Sequence, residues 1–262
     1  MAGTTDLLDV FGIDGGVTSV VGAGGKKTTL YTLASHLERA VVTATVRIPI
    51  FDRQVGSVTV TAKPMDALES RLESESTDRS LEATNGNWPL GLVPEREDDE
   101  RYRGYEPTVV DQLTTVAEDL PILVKADGAR TRHLKAPNDR EPQIPASSDV
   151  VLAVASCHAV GHPLTEAVVH RPTHVSAITG RDVGESIRPT DVARVLAHRR
   201  GGRKRVPDGA RYVPVINMVD DDTDREVAEG IAREVLERAP DAVDRIALTR
   251  MIDDRPLVDV LE

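Results

Sequence analysis

The chain has 262 residues, a formal net charge of −11 and a pI of about 5.2, which argues against a general nucleic-acid binder because phosphate contacts need clustered cations. Its single cysteine, Cys157, excludes an internal disulfide framework. The sequence contains neither an apolar run of the roughly 18 residues that a membrane span needs nor a signal-peptide pattern. We therefore expect a cytoplasmic protein without a membrane partner, and the acidic, lysine-poor composition is typical of a halophilic host.

Apolar, β-branched strands alternate with helices along most of the chain. The first half predicts a helix at 5–11, a strand at 17–21, a helix at 27–39 and strands at 41–45 and 55–61. The second half predicts a helix at 107–120, strands at 121–126 and 149–155, a helix at 189–198 with Thr190 as N-cap, a strand at 212–218 and a helix at 223–238. This alternation predicts a three-layer α/β fold, in which helices cover both faces of a mostly parallel sheet.

Residues 64–103 interrupt this pattern. The segments 73–78 and 95–103 are dense with charged and polar residues, which favours loops or a mobile insertion. No internal repeat or evident linker divides the remainder of the chain. We therefore expect residues 1–262 to form a single α/β domain with an insertion at about 64–103.

A glycine-rich turn joins the first predicted strand to the following helix. Glycines let several backbone N–H groups point at one ligand, and a helix N-terminus adds positive potential, so this order of elements suits a phosphate group. The chain has only six lysines, and two adjacent ones here favour phosphate binding over a turn with solvated lysines. The predicted site for a nucleoside triphosphate comprises Gly22, Ala23, Gly24, Gly25, Lys26, Lys27, Thr28 and Thr29.

This turn departs from the phosphate-loop consensus Gly-x-x-x-x-Gly-Lys-[Ser/Thr]. Val20 stands where the first glycine belongs, and Lys27 follows Lys26 where the consensus has a hydroxyl residue. The loop is therefore shortened or altered. We predict that Lys26 neutralises phosphate charge and that Thr28, or next to it Thr29, offers its hydroxyl to Mg²⁺.

Polar residues follow the strand predicted at 121–126, and ligands of parallel sheets bind at the carboxyl ends of strands. Asp127 is predicted to hold Mg²⁺ there, directly or through water, although Asp-Gly is also a common turn pair. Arg130, Arg132 and Lys135 follow as cations that could stabilise charge during phosphoryl transfer, or that belong to a solvated basic loop. The predicted catalytic residues are Lys26, Asp127, Arg130 and Arg132.

A third group of polar residues follows the strand predicted at 212–218. Asn217 and Asp220 fit two positions of the Asn-Lys-x-Asp segment that recognises guanine, but Met218 takes the place of the lysine. Asp220 fits a helix-capping region equally well, so the choice between ATP and GTP stays open. Five further residues lack a recognisable metal-binding spacing and are interpreted as structural or surface groups: Cys157, His158, His162, His170 and His174.

The ordered set of segments at 20–26, 41–45, 125–129, 134–137, 141–145, 161–164, 169–172 and 214–220 resembles the selenium-dependent hydroxylase accessory proteins of the YqeC type. The resemblance implies a phosphate-loop NTPase-like fold and a role in the maturation of molybdenum hydroxylases. It also implies nucleotide binding at Gly22, Gly24, Gly25 and Lys26, and a functional acid at Asp127. Three positions depart from the family pattern: Lys27 replaces Thr, Lys125 replaces Glu and Met218 replaces Lys.

The leading hypothesis is a nucleotide-binding accessory protein that serves a molybdenum hydroxylase or its cofactor. It would act on ATP or GTP as an Mg²⁺-dependent NTPase or as a phosphoryl or nucleotidyl transferase. One alternative is a non-catalytic adaptor that nucleotide switches between two states. Another is a small-molecule kinase in which residues 64–103 form a substrate lid.

Overall fold

The computed structural model describes residues 6–77 and 87–262 of the chain. The helices in these ranges are α1 (Leu7–Phe11), α2 (Lys26–His36), α3 (Pro64–Thr77), α4 (Pro107–Ala117), α5 (Pro172–Thr179), α6 (Pro189–Ala197) and α7 (Asp222–Arg238). The strands of the main sheet are β1 (Val17–Gly22), β2 (Val41–Ala44), β4 (Ser57–Val60), β5 (Leu90–Val93), β7 (Ile122–Lys125), β9 (Ser148–Ser156), β11 (Arg211–Asn217), β12 (Ile246–Thr249) and β13 (Leu257–Leu261). Two short ladders lie outside it, formed by β3 (Ile48–Pro49) with β6 (Arg101–Tyr102), and by β8 (Leu134–Lys135) with β10 (Val169–His170).

The sheet has the strand order β13-β12-β11-β9-β1-β7-β2-β5-β4. Every neighbouring pair is parallel except β12 with β13, which is antiparallel. β1 lies between β7 and β9, and the chain builds the sheet on the β7 side before it crosses to the β9 side. In parallel sheets, a reversal of strand order leaves a crevice at the carboxyl ends of the central strands. That crevice borders the glycine turn, which directly follows β1.

The two faces of the sheet pack against different helices. Along β9, Val150 and Leu152 face the core that contains α1 and α2, whereas Val151 and Ala153 face the core that contains α6 and α7. A third group of buried side chains, from α3, α4 and the β7 side of the sheet, lies on the same face as α6 and α7. Apolar residues on both faces explain why the strands read as continuous hydrophobic runs. The predicted α/β architecture with a mostly parallel sheet is confirmed.

The segment at 64–103 differs from the expected insertion of loops. Its first part forms α3, which buries Leu68, and β5 lies inside the main sheet between β2 and β4. Residues 78–86 of the same segment lie outside the described ranges. β5 was not predicted, because the strand is only four residues long and charge-dense segments lie on both sides of it. Because β5 is an internal strand, the segment that contains it belongs in part to the main sheet.

Other differences from the sequence prediction are local. The helix predicted at 189–198 begins at Pro189, with Arg188 rather than Thr190 as its N-cap. Proline fits the first helical position because its missing N–H is not needed there, and the Asp191 carboxylate accepts the Arg188 N–H at 2.9 Å. The elements α5, β12 and β13 were not predicted. None of the described helices combines the length and the apolar character that a membrane crossing requires.

The position of β5 in the sheet predicts that Leu92→Ala lowers the free energy of unfolding by about 2–5 kcal/mol, because the truncation leaves a cavity in the core. Leu92 is fully buried, whereas Val60 on the neighbouring β4 is 48% exposed and provides a matched control. Val60→Ala should change the free energy of unfolding by less than about 0.5 kcal/mol. Urea unfolding of both variants measures the difference, and equal small losses would contradict the assignment of β5.

Candidate functional site

The glycine turn that follows β1 has a backbone conformation that only glycine adopts without strain. Gly22, Gly24 and Gly25 have φ values of 93°, 80° and 115°. A Cβ atom on Gly22 would lie 2.2 Å from the Val154 carbonyl oxygen, and one on Gly25 would lie 2.2 Å from the Asn217 side-chain nitrogen. The three glycines therefore bring the turn into direct contact with the ends of β9 and β11.

Three backbone amides of the turn are already used in the protein. The N–H of Gly22 donates to Asp127 Oδ2 at 3.0 Å, and those of Ala23 and Gly24 donate to backbone carbonyls of Val154 and Arg132, each at 2.8 Å. These contacts fix the turn against β9 and the loop after β7. The amides of Ala23 and Gly24 are therefore not available to a ligand in this conformation.

Among the residues that the structure describes, none accepts a hydrogen bond from the amides of residues 25–28, because the first hydrogen bond of α2 runs from the Thr29 N–H to the Gly25 carbonyl. Gly25 is the N-cap, so no side chain caps the helix, and its first turn contains no acidic residue. By contrast, the Asp221 side chain caps α7. The amino end of α2 thus keeps the unpaired donors and the positive potential that attract an anion.

Asp127 lies beside the turn and contacts two buried lysines. Its Oδ1 is 3.0 Å from the Nζ of Lys26, which also donates to the Gly22 carbonyl. Its Oδ2 is 2.8 Å from the Nζ of Lys135. The residues of this group lie on three segments, namely the first turn of α2, the end of β7 and β8.

The charge cluster extends beyond Asp127 through Lys135. Glu141 Oε2 lies 2.8 Å from both Lys135 Nζ and Arg171 Nη1, and its Oε1 accepts the Gly128 N–H at 3.2 Å. Lys125, at the end of β7, is also buried and donates to the Arg47 carbonyl at 2.7 Å. Sequence reasoning assigned no role to Glu141 or Arg171, because only the folded loops after β8 and β10 bring them to Asp127.

Cationic groups outnumber the carboxylates of this cluster in the described part of the chain. Lys26, Lys125, Lys135 and Arg171 face only Asp127 and Glu141. Burial lowers the pKa of Lys26, and burial together with nearby Lys26 lowers the pKa of Lys125 to about 7. Burial alone would raise the pKa of Asp127, but Lys26 and Lys135 outweigh it and hold that pKa below its usual value. The lowered pKa values reduce the positive charge of the site, and a bound anion would favour the charged forms of Lys26 and Lys125.

The remaining predicted residues around the turn have different surroundings. The Thr29 hydroxyl donates to the Gly25 carbonyl at 3.3 Å and is buried, whereas Thr28 is half-buried and its hydroxyl bonds to no residue that the structure describes. Lys27 is half-buried on the same helical turn. Thr28 therefore has the hydroxyl that is available to a cation beside a bound phosphate.

The arginines after β7 are not assembled with the buried cluster. Arg130 is exposed, with a left-handed φ of 50°. The Arg132 guanidinium donates to the Glu166 carbonyl, and this residue reaches the glycine turn only through its backbone oxygen, which accepts the Gly24 N–H. In this conformation Lys26 and Lys135 contact Asp127, and Arg171 joins the cluster through Glu141. Arg130 and Arg132 form no ion pair with these carboxylates in the described part of the chain.

Asn217 holds the glycine turn from the other side. Its Nδ2 donates to the Gly24 carbonyl at 2.9 Å, while its Oδ1 accepts from the Thr249 hydroxyl and the Met251 N–H, each at 3.1 Å. These bonds engage both ends of the buried amide. Asp220 lies further out, half-exposed, with a carboxylate oxygen 3.6 Å from His158 Nε2. Of the two residues predicted to read a base, only Asp220 has an accessible side chain.

The fold and this site define an α/β protein whose glycine turn and buried charge cluster lie at the carboxyl edge of a parallel sheet. Residues 18–173 match the family model described as YqeC protein. The chain is also 31% identical over 205 residues to the protein named "Uncharacterized protein YqeC" of Escherichia coli (strain K12), a match that covers 77% of this chain and 75% of that protein. The chain belongs to the YqeC family. No solved structure matches it at a significant level.

The buried position of Lys125 predicts a pH-dependent gain in stability for Lys125→Met. In the folded protein the pKa of Lys125 is about 7, whereas the unfolded chain keeps the ordinary value of 10.5. Between these values unfolding takes up a proton, so the stability contributed at this position is present above pH 10.5 and is lost as the pH falls towards 7. Methionine takes up no proton, so its advantage over lysine should be largest near pH 7 and should vanish near pH 10.5.

Urea unfolding at pH 7 and pH 9 measures this difference. The advantage of Lys125→Met should shrink by up to about 1.4 kcal/mol for each pH unit. Lys63→Met provides the control, because the Lys63 side chain is 80% exposed and should show no such trend. An advantage that is equal at both pH values would contradict the lowered pKa of Lys125.

Proposed function

We propose that this protein binds a nucleoside triphosphate, ATP or GTP, with its phosphate groups at the amino end of α2, in a fold of the phosphate-loop NTPase type. The observation that carries this proposal is the excess of basic side chains over carboxylates directly beside a helix N-terminus that has no side-chain cap. Either feature alone is common in proteins. Together they suit a ligand with several negative charges, because the amides give directional hydrogen bonds and the lysines give charge compensation.

Phosphate binding would change the partners of Lys26. This lysine now contacts Asp127 and the Gly22 carbonyl, and its position in the first turn of α2 lets a phosphate group compete for it. Asp127 would keep Lys135 and the Gly22 amide as partners. Mg²⁺ would neutralise further phosphate charge, with Thr28 and Asp127 as the residues that would hold it.

A second candidate function, that of a non-catalytic adaptor switched by nucleotide, rests on a specific observation. Asp127 is engaged by two lysines, and the amides of Ala23 and Gly24 are bonded to backbone carbonyls. Such a site favours binding over hydrolysis, since Asp127 must first lose a lysine partner before it can hold Mg²⁺ or orient water. Displacement of Lys26 from Asp127 would then transmit nucleotide binding to the loops that carry Lys135 and Arg171.

The proposed physiological role is assistance in the maturation of a molybdenum hydroxylase, with the apoenzyme or its cofactor as partner. Membership of the YqeC family and the resemblance to selenium-dependent hydroxylase accessory proteins support this role. The glycine turn, Asp127, Lys135, Glu141 and Arg171 all lie within the part of the chain that matches the family model. The proposed nucleotide site thus lies within the region that defines the family.

Calorimetric titration with ATP and with GTP, in Mg²⁺ and molar KCl, tests the nucleotide proposal. Lys26→Ala should weaken binding by about tenfold or more, because it removes a charge-assisted contact to phosphate. Lys63→Ala, at an exposed lysine in a chain with few lysines, is the matched control and should bind as the wild type does. Thermal unfolding followed by circular dichroism establishes that each variant is folded.

Binding of neither nucleotide by the folded wild type would contradict the proposal, and so would equal binding by Lys26→Ala. A preference for GTP would favour Asp220 as a contact to the base, whereas a preference for ATP would leave it a residue of the helix-capping region. Phosphate release measured on the same samples separates the two candidates. Turnover that Lys26→Ala abolishes favours an NTPase or transferase, and tight binding without turnover favours the adaptor.

A further inference from the structure

A second cluster of polar side chains lies at the carboxyl ends of β9 and β11, on the side of the glycine turn away from Asp127. A short 3-10 turn at Cys157–Ala159 follows β9 and places Cys157 and His158 opposite Asp224 in α7. One ligand atom from each of these three residues lies within 4.8 Å of the others. The proposed nucleotide site uses none of these three residues.

The side chains of this cluster are held in place by the surrounding backbone. The Cys157 thiol is buried and donates to the Met218 carbonyl at 2.8 Å. His158 Nε2 is 3.0 Å from Asp224 Oδ2 and 3.6 Å from an Asp220 carboxylate oxygen. The Ser156 hydroxyl accepts the His158 N–H at 3.1 Å, which fixes the 3-10 turn. Sulfur, nitrogen and carboxylate oxygen donors therefore converge from two elements.

The charge around these donors suits a cation. Within the described ranges, neither Asp220 nor Asp224 forms an ion pair with a lysine or an arginine, and His158 is the only basic side chain that pairs with them. Many surface carboxylates of this chain do pair with arginine, as Glu234 does with Arg238 at 2.6 Å. Two carboxylates with a single basic side-chain partner among the described residues therefore lie beside the buried thiol, and the Arg250 guanidinium reaches only the Asp220 backbone carbonyl, at 3.2 Å.

We propose that Cys157, His158 and Asp224 bind a divalent cation of the zinc class, with Asp220 or water as the fourth ligand. A tetrahedral site with bonds of about 2.0–2.3 Å separates its ligand atoms by about 3.3–3.7 Å, so side-chain rotations complete the coordination from the observed spacing. One thiolate, one imidazole and carboxylates form a donor set of intermediate softness, which suits zinc better than the hard cation Mg²⁺.

Binding has a defined proton balance. The cysteine S–H bond breaks, the thiolate donates its electron pair to the cation, and one proton leaves to solvent. His158 faces the Asp224 carboxylate through an Nε2–H, since a carboxylate only accepts. That proton moves to Nδ1, or leaves to solvent if Nδ1 already carries one, and Nε2 then donates its electron pair to the cation, so the hydrogen bond to Asp224 is replaced by two bonds to the same cation. The thiol also gives up its hydrogen bond to the Met218 carbonyl.

Titration of the chelator-treated full chain with Co²⁺ tests this site, since cobalt takes zinc sites and has absorption bands that report its ligands. We expect one equivalent to give the near-ultraviolet charge-transfer band of a thiolate–cobalt bond together with the visible bands of a tetrahedral ion. Zn²⁺ added afterwards should remove both. Cys157→Ser should remove the charge-transfer band, and Asp224→Asn should weaken binding by at least about 100-fold, since loss of a second-shell partner alone costs 10–100-fold.

His174→Ala is the matched control, because His174 is exposed on α5 and lies outside the cluster. It should bind Co²⁺ as the wild type does, and circular dichroism establishes that all variants are folded. The proposal is overturned if the wild type shows no charge-transfer band, including the case in which cobalt binds only to histidines. It is also overturned if folded Asp224→Asn binds as tightly as the wild type. These measurements do not depend on nucleotide binding, so either proposal can be contradicted while the other stands.

Discussion

The contact of Asp127 with the glycine turn is the interaction on which the arrangement of the site depends. One carboxylate accepts the amide of Gly22, the residue that ends β1, and faces two buried lysines. Without its negative charge, Lys26, Lys125 and Lys135 would share a largely water-free space with Glu141 as the remaining carboxylate. Removal of one partner from such a buried group is typically far more costly than removal of a surface ion pair. Asp127 therefore holds the turn and sets the charge of the crevice beside it.

Two side chains hold the turn from opposite sides of β1. Asp127 binds its first amide from the β7 side, and Asn217 binds the Gly24 carbonyl from the β11 side. Both side chains come from the carboxyl ends of parallel strands, where the reversal of strand order leaves space for a ligand. The sheet thus fixes the amino end of α2, and the helix needs no side-chain cap of its own. The amides of its first turn have no acceptor within the described ranges.

The sequence was sufficient to predict the parallel sheet and the position of the turn. The run Val17–Val21 and the glycines after it are local sequence patterns, which can be recognised without knowledge of the fold. β5 was not predicted, because its pairing with β2 and β4 is a tertiary property and the charged residues near it indicate a loop. Lys135 was predicted together with Arg130 and Arg132 as a cation for phosphate, but its contact with Asp127 was not predicted. Glu141 and Arg171 join Lys135 only through the loops that follow two short parallel strands, β8 and β10.

The cluster at Cys157 also could not be predicted from local sequence patterns. Cys157, His158 and the nearby histidines were interpreted as structural or surface residues, since Pro172 interrupts the i,i+4 pair His170 and His174 and the others lack a metal-binding spacing. The missing partner, Asp224, lies 66 positions after His158 and on another element. Adjacent parallel strands bring such distant residues to one edge of a sheet, and only the strand order β9-β11 reveals it. The same strand order places this cluster next to the glycine turn.

The most direct test of the central claim, a buried excess of cations at the end of α2 that binds phosphate groups, is thermal unfolding in the presence of inorganic triphosphate. Sulfate at equal ionic strength serves as the reference. If the cluster binds polyphosphate, the melting temperature should rise by roughly 5 °C at about 100 times the dissociation constant. A melting temperature that responds equally to both salts would contradict the claim, because it would leave only general screening of an acidic protein.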